Sequence, residues 1–125
     1  MAPTMAHWEK TMADQFPAPG HKYLVDFRAD DGSGGFRVQL DFHSESSMTY
    51  TGVRPDGSLS GNSETVNITV EPIRDLIFLV TWKEESGMTV VHLEDYRDNT
   101  IITCITAPGP DPTFSRFHGT MTQTS

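Results

Sequence analysis

From residue 21 onward the sequence alternates apolar and polar positions with period two, and the alternation persists nearly to the last residue. Its interruptions are clusters of turn-forming residues: "DDGSG", "RPDGSLSGN", "EPIRD", "EESG", "YRDN" and "APGPDP". A helical stripe needs a period near 3.6, so this pattern excludes a helical body and predicts strands at 21–28, 35–43, 46–52, 63–71, 75–83, 87–95, 99–106 and 114–122. The short connections imply an antiparallel meander. An open sheet of this many strands exposes two edges that closure removes, so the expected architecture is all-β, an eight-stranded antiparallel up-and-down barrel. Only the start differs: in "MAPTMAHWEKTMADQF", Met5, Trp8 and Met12 recur at helical spacing between Thr4 as an N-cap and Pro17 as a stop. A short N-terminal helix follows from this, its stripe packing on the body or on a dimer mate. The implied division is a helical extension over 1–19 and a barrel domain over 20–125.

A chain of 125 residues suits one module with a real core. The longest apolar run, "LIFLV" at 76–80, is far too short to cross a membrane, and no membrane partner is expected. The start carries no apolar run with a small-residue cleavage site, and the single cysteine, Cys104, has no partner for an internal disulfide; both point to the cytoplasm. The Asn67-Ile68-Thr69 glycosylation pattern falls inside a predicted strand and is read as chance. A net charge of −8 with scattered Lys and Arg argues against nucleic acid as a partner. The expected partner is a small molecule, and the helix stripe allows a homodimer.

A barrel of about eight strands is just wide enough to be filled by side chains or to hold one small ligand, so polar residues on inward faces carry the functional information. Glu64 heads the row Val66, Ile68, Val70 in "SETVNITVEP". In an apolar cup, desolvation raises the pKa of such a carboxylate and makes it a general acid or base; at the strand start it can equally be solvated. In "VVHLED", His92 and Glu94 share a face with Met88 and Val90. If that face is the lumen, they bind a polar ligand group or shuttle a proton; if it is the exterior, Val91 and Leu93 are core instead. Arg116 and His118 form a similar pair on the last strand, Arg116 being the candidate for an anionic group. The five histidines lack the close spacing of a metal site, so no metal is expected; no phosphate loop is present, and Cys104 reads as a small buried hydrophobe.

The segment "LIFLVTWKEESGMTVVHLEDYRDNTIITCIT", with Trp82, Glu84, Gly87, Asp95 and Asn99, and the closing "FSRFHGTMT" with Gly119, resemble the molybdenum cofactor biosynthesis protein F-like group. The stretch "SETVNITVEPIRDLIFLVTWKEESG" is similar to the phenolic acid decarboxylases, with Glu64 at the position of their catalytic Glu. Both resemblances imply a calycin, that is a lipocalin-like, barrel over roughly residues 20–124. The decarboxylase residues that grip a substrate carboxylate, two tyrosines and an arginine, fall here on Val25, Phe27 and Thr51, with Tyr50 and Arg54 nearby. The resemblance therefore implies a cup with an apolar lining and one carboxylate. The expected function is a cofactor-free acid/base enzyme, a lyase or isomerase acting on a small apolar or aromatic substrate, with Glu64 and His92 catalytic. Val25, Phe27, Val38, Tyr50, Trp82, Glu94 and Arg116 are the expected ligand contacts. The alternative is a non-catalytic carrier of a small hydrophobic ligand.

Overall fold

The structure, a computed structural model, describes residues 15–125. The helix expected over the first sixteen residues lies outside them, apart from Gln15 and Phe16, which are not helical. Nine strands follow: β1 (Lys22–Ala29), β2 (Gly35–Phe42), β3 (Ser47–Val53), β4 (Leu59–Asn67), β5 (Thr69–Arg74), β6 (Ile77–Lys83), β7 (Thr89–Asp95), β8 (Thr100–Ala107) and β9 (Thr113–Gln123). They form one antiparallel sheet in the order β4-β3-β2-β1-β9-β8-β7-β6-β5. The expected meander is present, with β1 pairing β9 to bring the two ends of the domain together.

The strand count departs from eight because the ribbon read as one strand over 63–71 is two. Its upper part, β4, begins early, at Leu59, and pairs with β3; its lower part, β5, pairs with β6, and no residue pairs with both neighbours. The change of partner occurs at Ile68, which is buried and donates its backbone N–H to Ser46 O, in the β2–β3 turn. The sheet is therefore a curled half-barrel with a seam beside β4 and β5 rather than a hydrogen-bonded cylinder. Pro72 lies on the edge strand β5, the position in a sheet where a missing N–H costs least.

Curling concentrates the core into two storeys. At one end Phe16, Tyr23, Phe42, Phe78 and Tyr96 pack edge to face, with Phe16 centred 5.2 Å from Phe78 and 5.4 Å from Phe42. Val25, Leu40, Met48, Val80 and Ile101 are also buried in the core. The other end stays open. The tightest approach is around β1: a Cβ on Gly35 would lie 1.8 Å from Phe27 O, and one on Gly119 2.2 Å from Asp26 O. These two glycines sit on either side of β1, opposite Arg28 and Phe27, where only a residue without a side chain lets the sheet coil this sharply.

Candidate functional site

The open end encloses a cavity of about 390 Å³. Its wall is built from every second residue of the central strands: Phe27 of β1, Val38 and Leu40 of β2, Tyr50 of β3, Trp82 of β6, Val90 and His92 of β7, Thr103 and Ile105 of β8. Phe36, Met88 and Phe117 complete it near the rim, Phe36 and Phe117 meeting edge to face at 5.0 Å. Tyr50 and Trp82 stack at 6.4 Å across the seam side. The lining is apolar and aromatic with a few polar groups, which is the composition of a small-molecule site.

At the floor of this cup the side chains of β7 settle the choice between faces. Val90, His92 and Glu94 point inward, whereas Val91 and Leu93 are 40% and 36% exposed on the outer surface. His92 is 3% exposed and Glu94 fully buried. His92 Nδ1 lies 3.0 Å from Glu94 Oε2, and Tyr96 Oη donates to Glu94 Oε1 at 2.5 Å. A carboxylate can only accept, so Nδ1 is the donor of this contact, and in the tautomer it fixes Nε2 carries the lone pair and points away from Glu94. The ring is held on its faces as well, edge-on to Trp82 at 4.7 Å and tilted against Phe27 at 5.9 Å. Glu94 thus couples the filled storey, through Tyr96, to the open one, through His92. It does not itself line the cavity.

Burial pushes the phenols up. Desolvation, joined by the Glu94 charge, raises Tyr23 above the ordinary value near 10 and Tyr96 far above it; desolvation and the Glu64 hydrogen bond raise Tyr50. These are all three tyrosines of the chain. A pKa raised on folding contributes stability that is present below the unfolded value and lost as pH climbs above it, because only the unfolded chain then releases its protons. The expected result is an alkaline titration with no phenolate absorbance until the protein unfolds, in a single step above about pH 10. A tyrosine ionising while the near-ultraviolet circular dichroism remains native would contradict this packing.

Glu64 sits at the mouth, not on the floor. It is part-buried on β4 in the inward row with Val66 and Ile68. Oε1 accepts from Tyr50 Oη at 2.8 Å, and Oε2 accepts from the backbone N–H of Glu85, in the β6–β7 turn, at 2.9 Å. The second bond crosses the seam where no ladder joins β4 to β6, so the carboxylate acts as a latch. Replacing Glu64 with alanine leaves two donors without their acceptor, and stability is expected to fall by about 1–2 kcal/mol. The Glu85 amide should then exchange faster with solvent; unchanged exchange would show that the seam does not depend on this side chain. Beside it, Trp82 Nε1–H donates to Glu84 Oε2 at 3.2 Å, making Glu84 the one carboxylate of the cavity lining.

Of the ligand contacts expected from sequence, Phe27, Val38, Tyr50 and Trp82 line the cavity together with His92. Val25 is core below it. Arg116 is on the outer surface, its Nε 3.1 Å from Asp30 Oδ2, while His118 Nδ1 is 2.8 Å from Asp30 Oδ1; exposed pairs of this kind contribute under about 1 kcal/mol. Sequence reasoning missed Thr103 and Tyr96 as site residues. For Thr103 a signal existed: it interrupts the inward row Ile101, Ile105 with a hydroxyl. Tyr96 belongs to the turn "YRDN", where alternation no longer reports on burial. Among the described residues no group of three His, Cys, Asp or Glu side chains is arranged to hold a metal ion, and no helix is long and apolar enough to cross a membrane.

A sequence profile described as MoaF-like matches residues 19–122. Among solved structures, a protein from Burkholderia vietnamiensis, provisionally described as a beta-lactamase, is similar at 26% identity and a TM-score of 0.70, over 86% of this chain and 96% of that one. No curated protein matches.

Proposed function

Because the chain belongs to the MoaF-like family and has a barrel fold with an apolar cup, we propose that it binds a small, largely apolar or aromatic molecule there and catalyses proton transfer on it, as a lyase or isomerase. The observation that carries this reading is the buried Tyr96–Glu94–His92 chain ending at the cavity. A base needs a lone pair directed at substrate and a second group that fixes its tautomer and orientation. His92 supplies the first through Nε2, and Glu94 the second through Nδ1. Wedged against Trp82 and Phe27, the imidazole is pre-set for transfer without reorganisation, in a site whose apolar wall strengthens electrostatic effects. This reading moves the principal proton-transfer role from Glu64, the residue favoured by family resemblance, to His92, and gives Glu64 the task of holding the mouth together.

A carrier of the same fold needs only the apolar wall, whereas an imidazole fixed on the floor supplies the oriented lone pair that proton transfer requires.

The test is a flat, uncharged compound whose ring opens when a base removes one C–H proton, 5-nitrobenzisoxazole. The wild-type protein is expected to accelerate the opening by about 100-fold or more over the same concentration of free imidazole, the scale of general-base catalysis in an organised site. His92→Ala should abolish the acceleration and Glu64→Gln should retain most of it. If tryptophan fluorescence shows that the compound binds but the rate stays at background, the carrier reading replaces this one. If Glu64→Gln is the inactive variant, the roles are reversed.

A further inference from the structure

Two polar features of the cavity floor and one of its mouth specify the chemistry of the ligand more narrowly than an apolar wall does. Thr103 is fully buried, and its Oγ1 has no hydrogen-bond partner among the described residues. It faces the cavity from β8 directly opposite His92 of β7 in the ladder, so the two side chains are neighbours on one face of the sheet. A hydroxyl sealed in an apolar site without a partner is costly, and such groups in native proteins are normally satisfied. The neighbouring imidazole has Nδ1 committed to Glu94. The floor therefore presents a pair of complementary functions side by side: an O–H that can donate, on Thr103, and a lone pair that can only accept, on His92 Nε2. At the mouth the charge is of one sign. Glu84 is the carboxylate of the lining, no Lys or Arg contributes to it, and Glu64 stands next to it on Tyr50.

We infer that the ligand of this cavity is an uncharged, hydroxyl-bearing apolar molecule, a phenol or a compact alcohol, whose O–H donates to His92 Nε2 while its oxygen accepts from Thr103 Oγ1. The inference rests on the reading of His92 as a base facing the cavity and names the group that base meets. A ketone satisfies Thr103 but has no proton for His92. A carboxylate brings a negative charge past Glu84 into a cup with no cation to receive it, and it offers His92 no proton. Desolvating an unpaired anion is among the largest penalties a site can impose, so the mouth and floor together reject the acids that a similar barrel lined with tyrosines and an arginine would hold. A hydroxyl between two matched partners, by contrast, relieves the unpaired Thr103 and leaves its own proton on the path to Nε2.

Three naphthalenes of nearly equal size test the assignment at pH 7 by quenching of tryptophan fluorescence: 2-naphthol, 2-naphthoate and naphthalene itself. The expected order is 2-naphthol tightest, at least tenfold tighter than naphthalene, with 2-naphthoate weakest. Thr103→Val keeps the shape of the side chain and removes the hydroxyl; it should cut the advantage of 2-naphthol over naphthalene by about tenfold while raising the melting temperature of the free protein. Two outcomes overturn the inference: 2-naphthoate binding as tightly as 2-naphthol, or naphthalene matching 2-naphthol in the wild-type protein. The series reads binding alone, so it remains decisive if benzisoxazole turnover fails. An inverted order with turnover intact would remove the ligand assignment and leave the base in place.

Discussion

Replacing Glu94 with alanine is expected to lower the free energy of unfolding by about 4 kcal/mol, the scale expected when two buried donors lose their shared acceptor. The size follows from position. Glu94 is fully buried between the two storeys of the core, and both of its oxygens are used, one by Tyr96 and one by His92. Removing it strands two donors, and each left buried and unsatisfied costs about 1–3 kcal/mol before the lost volume is counted. Small domains have about 5–15 kcal/mol in total, so the variant should still fold in the cold and lose its margin on warming. Denaturant unfolding at low temperature measures the change. Glu94→Gln separates the roles: it preserves volume and one acceptor, so stability falls less, but an amide no longer dictates which imidazole nitrogen carries the proton. Base activity should then drop while the fold persists. A Glu94→Ala protein as stable as wild type would mean that the Tyr96–Glu94–His92 chain is not a structural element.

The second large effect is expected at Gly119. An alanine Cβ there would stand 2.2 Å from the backbone oxygen of Asp26, a distance no side-chain rotation can relieve. Either β9 withdraws from β1 or the coil of the sheet opens, and both loosen the one pairing that joins the start of the domain to its end. A loss of about 3 kcal/mol is expected, at the upper end for overpacking because the obstacle is backbone. Gly61→Ala on β4 is the internal comparison, since a Cβ at that position meets nothing within 4 Å. It should change stability by no more than about 0.5 kcal/mol, as surface substitutions do. Equal effects at the two sites would contradict the close approach at β1.

How far each conclusion was legible in the sequence follows from how far its cause extends along the chain. Strand identity is local: alternation and turn residues are written within ten positions, and they located most of the strands and their pairing order. The break at Ile68 was invisible for a definite reason. Val66, Ile68 and Val70 keep the same parity on either side of it, so the alternation runs through the change of partner undisturbed. The inward row headed by Glu64 was legible too, but its role was not, because its partner Glu85 is 21 residues away and is a backbone amide that any sequence would supply.

The site divides in the same way. That His92 and Glu94 share a face is a consequence of period two and needs no structure. Which face is inside could not be read, since Val91 and Leu93 are as apolar as a core row and lie exposed on the exterior. The sequence by itself determined an all-β meander, an acidic composition, and the short list of polar residues able to do chemistry in a cup. Only the tertiary structure decided that the sheet curls with β7 turning His92 and Glu94 inward, that Glu64 latches the seam, and that Thr103 stands unpaired beside His92. Alternation is a property of each strand alone, but the direction of curling is set by all nine strands at once, through close approaches such as Gly35 and Gly119 against β1.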